Sequence, residues 1–332
     1  MATIYDVARR AEVSAATVSR VLNGHPSVDP QLAERVRAAV TELDYRPSAL
    51  ARNLRRSRTS LWAVIISDVG NPFFTSLVRG VEDVAQSSAY SVVLCNSDED
   101  PAKEANYVSV ALAEQVAGVI LSPSGQPAVA ARLLDAGTPL VLIDRELRDV
   151  RADSVLVDNE HGAVEAVAHL LANGYQRIGC ITGPESVSTA RRRIRGYQQA
   201  LADDGSHYDD SLVRYGDFRE TGGYQAMAEL LDLPEPPDAV FVANNLMAVG
   251  ALECLRVRGV TVPDQVGVVG FDDLPWPGLV RPALTTVSQP TYELGRVAAQ
   301  LLSERIEDRD REPTTVVLKT ELQVRGTSRR PE

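Results

Sequence analysis

Apolar residues recur at helical spacing from the start of the chain. Ile4, Val7, Ala8 and Ala11 share one face, and Thr3 with Asp6 makes a capping-box start. The pattern breaks at Glu12-Val13-Ser14, and a second helix follows with Ser14 as its N-cap and Val18, Val21 and Leu22 on one side. Gly24 stands where a left-handed C-cap is expected. Two short helices with a tight turn and a shared apolar face read as a helix-turn-helix. Asp29-Pro30 opens a third helix, whose stripe Leu32, Val36, Val40 and Leu43 completes a small core before Tyr45-Arg46-Pro47 ends it. Ser48 to Leu54 then has room for about two further helical turns, too few to hold together in isolation.

From Leu61 the period changes. WAVIIS (62–67), SVVLCN (91–96), GVILS (118–122), PLVLI (139–143) and SVLVD (154–158) are continuous apolar runs separated by helix-like stretches. A second series follows in RIGCIT (177–182), SLVRY (211–215), AVFVA (239–243) and VGVVGF (266–271). Runs of this kind are buried on both faces and belong to parallel sheets covered by helices. Two consecutive series predict two doubly wound lobes, with a last helix near 291–307 and a strand near 315–319 returning to the first. The expected organisation is an all-α headpiece (1–46), a linker (47–60) and an α/β body (61–332). The body divides into lobe 1, about 61–159 and 291–320, and lobe 2, about 160–290 and 321–332.

Charge sharpens this division. The 332 residues carry a net charge of −11, which taken whole argues against nucleic acid. Residues 1–60, however, hold ten Arg against six Asp or Glu, a net +4, and the other 272 residues hold 24 basic and 39 acidic groups, a net −15. An acidic body repels DNA, so the basic headpiece is the expected contact surface. Residues 45–58 alone contain five Arg and no acid. Cys95, Cys180 and Cys254 lie far apart in apolar runs and read as buried free thiols of a reducing compartment. There is no leader-like apolar segment and no run of membrane-spanning length, so a cytoplasmic location is expected. His25, His161, His169 and His207 form no ligand spacing, the last three reading as helix-surface or loop residues. No phosphate loop, dinucleotide fingerprint or nucleophile elbow follows any strand. Neither metal, cofactor nor enzymatic activity is expected.

The segment TIYDVARRAEVSAATVSRVLNG closely resembles the N-terminal headpiece of the LacI family of bacterial transcription regulators, and the strand–helix series extends the resemblance over essentially the whole chain. The resemblance implies a periplasmic-binding-protein-like body, operator DNA and a small-molecule effector as partners, and allosteric control. The helix-turn-helix then supplies Thr3, Ser14, Ala15, Ala16, Thr17, Ser19, Arg20 and Asn23 to DNA. Arg20 meets a base edge or phosphate, while Ala15 and Ala16 offer only apolar contact, for instance to a thymine methyl. It also implies a hinge helix that folds on binding, with Leu54 wedged into the minor groove and Arg52, Arg55 and Arg56 on phosphates. Read as composition alone, the same stretch is a solvated basic linker. Dimeric helix-turn-helix proteins read pseudo-palindromic sites, and no leucine heptad follows RGTSRRPE, so a homodimer is expected.

Ligands of open α/β sheets bind beyond the carboxyl ends of the strands. That rule selects Asp68 and Asn71-Pro72-Phe73-Phe74, then Ser122 and Asp144-Arg145 in lobe 1. In lobe 2 it selects Thr182 and the loop to Arg193, then Phe218, Asn244, Asp272 and Trp276; Gln289 joins the set. Carboxylates, amides, guanidinium groups and aromatic faces together suit a neutral polyhydroxylated ligand such as a sugar. In the family, the positions matched by Asp144, Arg193, Asn244 and Asp272 hold sugar hydroxyls, and those matched by Phe74 and Phe218 lie against the effector of the purine-binding branch. Val187 stands where that branch has an arginine. Which of Phe73 and Phe74 faces the cleft stays open. The alternatives are a nucleoside or nucleobase effector, or a cytosolic sugar-binding or sugar-modifying protein whose N-terminal helices mediate assembly.

Overall fold

The computed structural model describes residues 2–22, 28–45, 59–276, 278 and 281–329. These contain eleven α-helices and twelve strands in two compact units, divided along the chain between Thr59 and Ser60. The first unit is wholly helical: α1 (Ile4–Ala11), α2 (Ala15–Leu22) and α3 (Pro30–Glu42). α1 is held by the reciprocal Thr3–Asp6 capping box and ends at Glu12, whose backbone is left-handed (φ 52°). Arg35 on α3 donates to the Ala11 carbonyl (2.5 Å), which satisfies one of the acceptors that a helix end leaves open. Val7, Ala8, Ala11, Val18, Val21, Val36 and Ala39 form the core. Of the predicted α3 stripe, Val36 lies in this core and Val40 and Leu43 pack against it, joined by Ala33 and Ala39, while Leu32 is half-buried.

The second unit holds two six-stranded sheets of one strand order. The first runs β11-β5-β4-β3-β1-β2 and the second β12-β10-β9-β8-β6-β7. Their members are β1 (Leu61–Ile66), β2 (Ser91–Asn96), β3 (Gly118–Leu121), β4 (Leu140–Ile143), β5 (Asp153–Val157) and β11 (Thr315–Leu318); and β6 (Ile178–Thr182), β7 (Val213–Tyr215), β8 (Ala239–Val242), β9 (Gly267–Phe271), β10 (Thr285–Ser288) and β12 (Glu321–Gln323). All pairings are parallel except β10 with β12. The chain crosses between lobes after β5, after β10 and after β11. Helices α4 (Pro72–Ser87), α5 (Pro101–Ala113), α6 (Pro127–Asp135) and α11 (Thr291–Glu307) cover the first sheet, and α7 (Asn159–Ala172), α8 (Ser188–Asp204), α9 (Glu220–Leu231) and α10 (Asn245–Arg258) the second.

Three readings of the strand pattern need correction. SVVLCN is not buried on both faces: β2 is an edge strand with Val93 and Leu94 exposed, since one side has no neighbour. SLVRY begins with a single 3₁₀ turn, leaving only Val213–Tyr215 extended. β10 and β12 carry no apolar run at all. The β10 threonines are buried because their hydroxyls are spent internally, Thr285 Oγ1 on Ser328 Oγ (2.7 Å) and Thr286 Oγ1 on Asp273 (3.1 Å). His169 is likewise not a surface residue but half-buried, with Nε2 2.8 Å from Ser328 Oγ. The three cysteines are buried free thiols.

Helix pairs close up through glycine. A Cβ on Gly295 of α11 would lie 1.9 Å from the Leu77 carbonyl oxygen of α4, and one on Gly250 of α10 1.9 Å from that of Glu220 on α9. Both are backbone contacts that cannot yield, so they set the helix spacing that frames each lobe.

Candidate functional site

In the headpiece, the Ser14 hydroxyl accepts from the Thr17 amide (3.1 Å) and lies 3.0 Å from Thr17 Oγ1, which fixes the start of α2. Val18 and Val21 point inward, leaving Ser14, Ala16 and Arg20 exposed, with Ala15, Thr17 and Ser19 half-buried beside them. Thr3 is exposed, yet its hydroxyl is committed to Asp6 (2.7 Å). Tyr5 is 71% exposed, an aromatic surface that the helical pattern had passed over. Asn23, Gly24, His25, Arg52, Leu54, Arg55 and Arg56 lie outside the described residues, as does the whole of 46–58.

Between the lobes of the body is a cavity of about 450 Å³, counted to its open mouth. The common strand order of the sheets builds it. Asp144 follows β4 and Asp272 follows β9, the equivalent strand of each lobe. Each has a left-handed backbone (φ 68° and 71°), and each amide donates to the neighbouring strand, Asp144 to Val155 (3.0 Å) and Asp272 to Val287 (2.9 Å). A non-glycine residue is uncommon there, and strain of this kind collects at functional sites. Phe218 (φ 62°) and Glu99 (φ 59°), which also line the cavity, share the feature. Gly183 makes room for the Phe218 ring: a Cβ there would sit 2.0 Å from its Cζ.

Three guanidinium groups enter the cavity and all are engaged. Arg145 holds Glu99 through two bonds (2.5 and 2.7 Å) and packs over Phe218, 5.5 Å from the ring centre. Arg193 donates to Asn159 Oδ1 (2.8 Å) and the Ala243 carbonyl (2.7 Å), lies 3.8 Å from Asp272 and stacks 3.7 Å over Phe271. Arg219 pairs with Asp98 across the lobes (2.9 Å). Burial pushes the Asp144 carboxyl up to about 6, against the pull of Arg145 and Arg193. Burial raises Asp272 as well, opposed by Arg193 and by the bond from Gln289. Asp144 accepts no hydrogen bond from the described residues, although Arg145 Nε lies 3.4 Å from it. The cavity therefore presents carboxylate acceptors more than free donors.

The lobes touch directly. The Asn71 and Asn245 side chains exchange two bonds (3.0 and 2.9 Å) in a buried reciprocal pair. Glu146 of lobe 1 holds Arg192 of lobe 2 (3.1 and 2.9 Å) and its amide donates to Ser188 Oγ (3.1 Å).

Residues 3–48 match the family model described as bacterial regulatory proteins, lacI family, and residues 167–328 match the periplasmic binding protein-like domain. Catabolite control protein A of Priestia megaterium is 36% identical over 329 residues, spanning 98% of this chain and 99% of that one. The chain belongs to the LacI family. Among solved structures, the transcriptional regulator CelR–cellobiose complex is 35% identical (TM-score 0.74, 98% of this chain and 100% of that one). The lac repressor dimer bound to operator and the anti-inducer ONPF is 29% identical with a TM-score of 0.87 (98% and 99%). As a LacI-family member the chain is a DNA-binding transcriptional regulator and not an enzyme. No helix among the described residues is long and apolar enough to cross a membrane.

Set in that family frame, the cavity gathers most of the residues selected from the strand ends. Asp68, Asn71, Phe73, Phe74, Asp144, Arg145, Arg193, Phe218, Asn244, Asp272 and Gln289 all line it. Phe73 and Phe74 both do so, packed edge to face 4.9 Å apart, so the choice between them falls away. Three candidates, Ser122, Thr182 and Trp276, lie outside the lining. Ser122 is fully buried with its hydroxyl 3.2 Å from Ser67 Oγ, behind the cavity wall. Trp276 is 67% exposed and outside the lining. Thr182 is also buried outside it, and Val187 packs into the core of lobe 2. Glu99, Thr189, Asp217 and Arg219 line the cavity without having been singled out. Asp217 and Arg219 flank Phe218, so the loop after β7 carried the signal; Glu99 is found only through its pairing with Arg145.

Proposed function

We propose that this chain is a cytoplasmic repressor that binds a pseudo-palindromic operator as a homodimer and is switched by a neutral polyhydroxylated effector, a sugar or sugar derivative, held between the lobes. One observation carries the effector class. All three cavity arginines are already engaged by protein acceptors, while Asp144 and Asp272 keep open lone pairs. Unspent acceptors call for a ligand rich in donors, which vicinal hydroxyls supply, and Phe73, Phe74 and Phe218 cover an apolar ring face. Five acidic against three basic lining residues disfavour an anion. The cellobiose complex of the CelR neighbour supports the same class. No polar atom from Val187 reaches the cavity, which counts against a nucleobase.

On DNA, Arg20 contacts a base edge or phosphate, with Ser14, Ala15, Ala16, Thr17, Ser19 and Asn23 around it. Leu54 wedges the minor groove between the phosphate contacts of Arg52, Arg55 and Arg56. Effector entry changes the angle between lobes and so the pairing of the hinge segments, with a coupling on the order of 1–3 kcal/mol. The test is footprinting on DNA upstream of the gene, with and without a panel of sugars and nucleosides. Protection of a near-palindromic site that one sugar alters is the expected result. No protection on any such fragment overturns the regulator; alteration by nucleosides alone overturns the sugar.

A further inference from the structure

A second groove of about 700 Å³ spans the lobes beside the effector cavity and shares Arg145 with it. Its charge is of the opposite kind. Arg148 of lobe 1 is exposed and makes no ion pair or hydrogen bond with the described residues. Arg191 of lobe 2 gives one nitrogen to the carbonyls of Glu185 and Ser186 (2.9 and 2.7 Å) and has no carboxylate partner among the described residues. Arg145, 4% exposed, also lines the groove, but its charge is taken up by Glu99 and Asp144. Glu146 is the one carboxylate in the lining, and Arg192 occupies both its oxygens. Two helices begin here, α6 at Pro127 and α8 at Ser188, and neither has a side chain capping its first amides.

Two uncompensated guanidinium groups on opposite lobes repel as the lobes close. An anion between them reverses the sign of that contribution, and the helix starts add to the attraction. The groove is open to solvent and has room for a small molecule. We propose that this groove is a second binding site, for a small phosphate monoester, in which the phosphate bridges Arg148 to Arg191 and holds the lobes together. The site is separate from the sugar cavity and does not depend on the identity of that effector.

The test uses the full chain, titrated with glycerol 3-phosphate, inorganic phosphate or glycerol at an ionic strength held constant with chloride, and followed by melting temperature and calorimetry. Glycerol 3-phosphate raises the melting temperature by mass action and binds more tightly than inorganic phosphate; glycerol has no effect. Arg148→Glu weakens the ester by about tenfold or more while melting normally in chloride, since the residue has no partner to lose. An equal shift from chloride, ester binding no tighter than that of inorganic phosphate, or unchanged ester affinity in Arg148→Glu overturns the site. Phosphate held by the headpiece arginines is read out separately, because Arg148→Glu leaves it intact.

Discussion

On the function proposed above, effector control turns on Asp144 and Asp272, and their ionisation gives it a pH signature. The Asp144 carboxyl titrates near 6 in the folded chain, above its ordinary 3.8, chiefly through burial. The native state thus takes up this proton before the unfolded state does. Its destabilising contribution is complete above about pH 6 and relieved as pH falls towards 4. Asp144→Asn is therefore expected to raise stability at pH 7, on the order of 3 kcal/mol, with the gain fading by pH 4; paired thermal melts check this. A sugar hydroxyl donates more strongly to Asp144 as a carboxylate than as the neutral acid, so effector affinity is expected to fall as pH drops through about 6, measurable by calorimetry from pH 5 to 8. Arg193→Ala and Asp272→Ala are expected to abolish the effector response while operator binding persists. A variant still released normally takes that residue out of the site.

Between elements, the Asn71–Asn245 pair fastens the start of α4 to the start of α10 across the lobes. Asn71→Ala leaves a buried amide without its partner, which costs about 1–3 kcal/mol of the closed arrangement. Small-angle scattering is expected to show a more open body, and a profile identical to the native one refutes the clasp. In the headpiece, Ser14→Ala removes the cap of α2 and lowers the stability of that unit by about 1 kcal/mol. The effect appears in its thermal unfolding, and a cap that contributed nothing leaves the melt unmoved.

For the whole molecule, the charge division between a basic first unit and an acidic second one predicts operator binding that weakens steeply with salt. A flat titration removes the arginines from the phosphate contacts. Leu54→Ala is expected to reduce DNA bending and operator affinity with effector affinity unchanged, and a circular-permutation gel with normal bending contradicts the wedge.

Local order was legible in the residues themselves. Caps, apolar stripes and β-branched runs act within a few positions, so Thr3, Ser14, Asp29 and ten of the twelve strands announce themselves without any partner in view. The rule that ligands gather beyond strand ends then placed Asp144, Phe218, Asn244 and Asp272 in one space, because two lobes of equal strand order turn the same ends towards each other. Contacts between distant segments were not legible. Ser122 and Trp276 obey the same strand-end rule as Asp144, and only the packing turned one behind the wall and the other to solvent. Glu99 joins the site through Arg145, 46 positions away, and Thr285 is buried by hydroxyl partners beyond 320. Pairing at such range is decided by the closure of the sheets and the meeting of the lobes, which no local pattern of apolar and polar residues encodes.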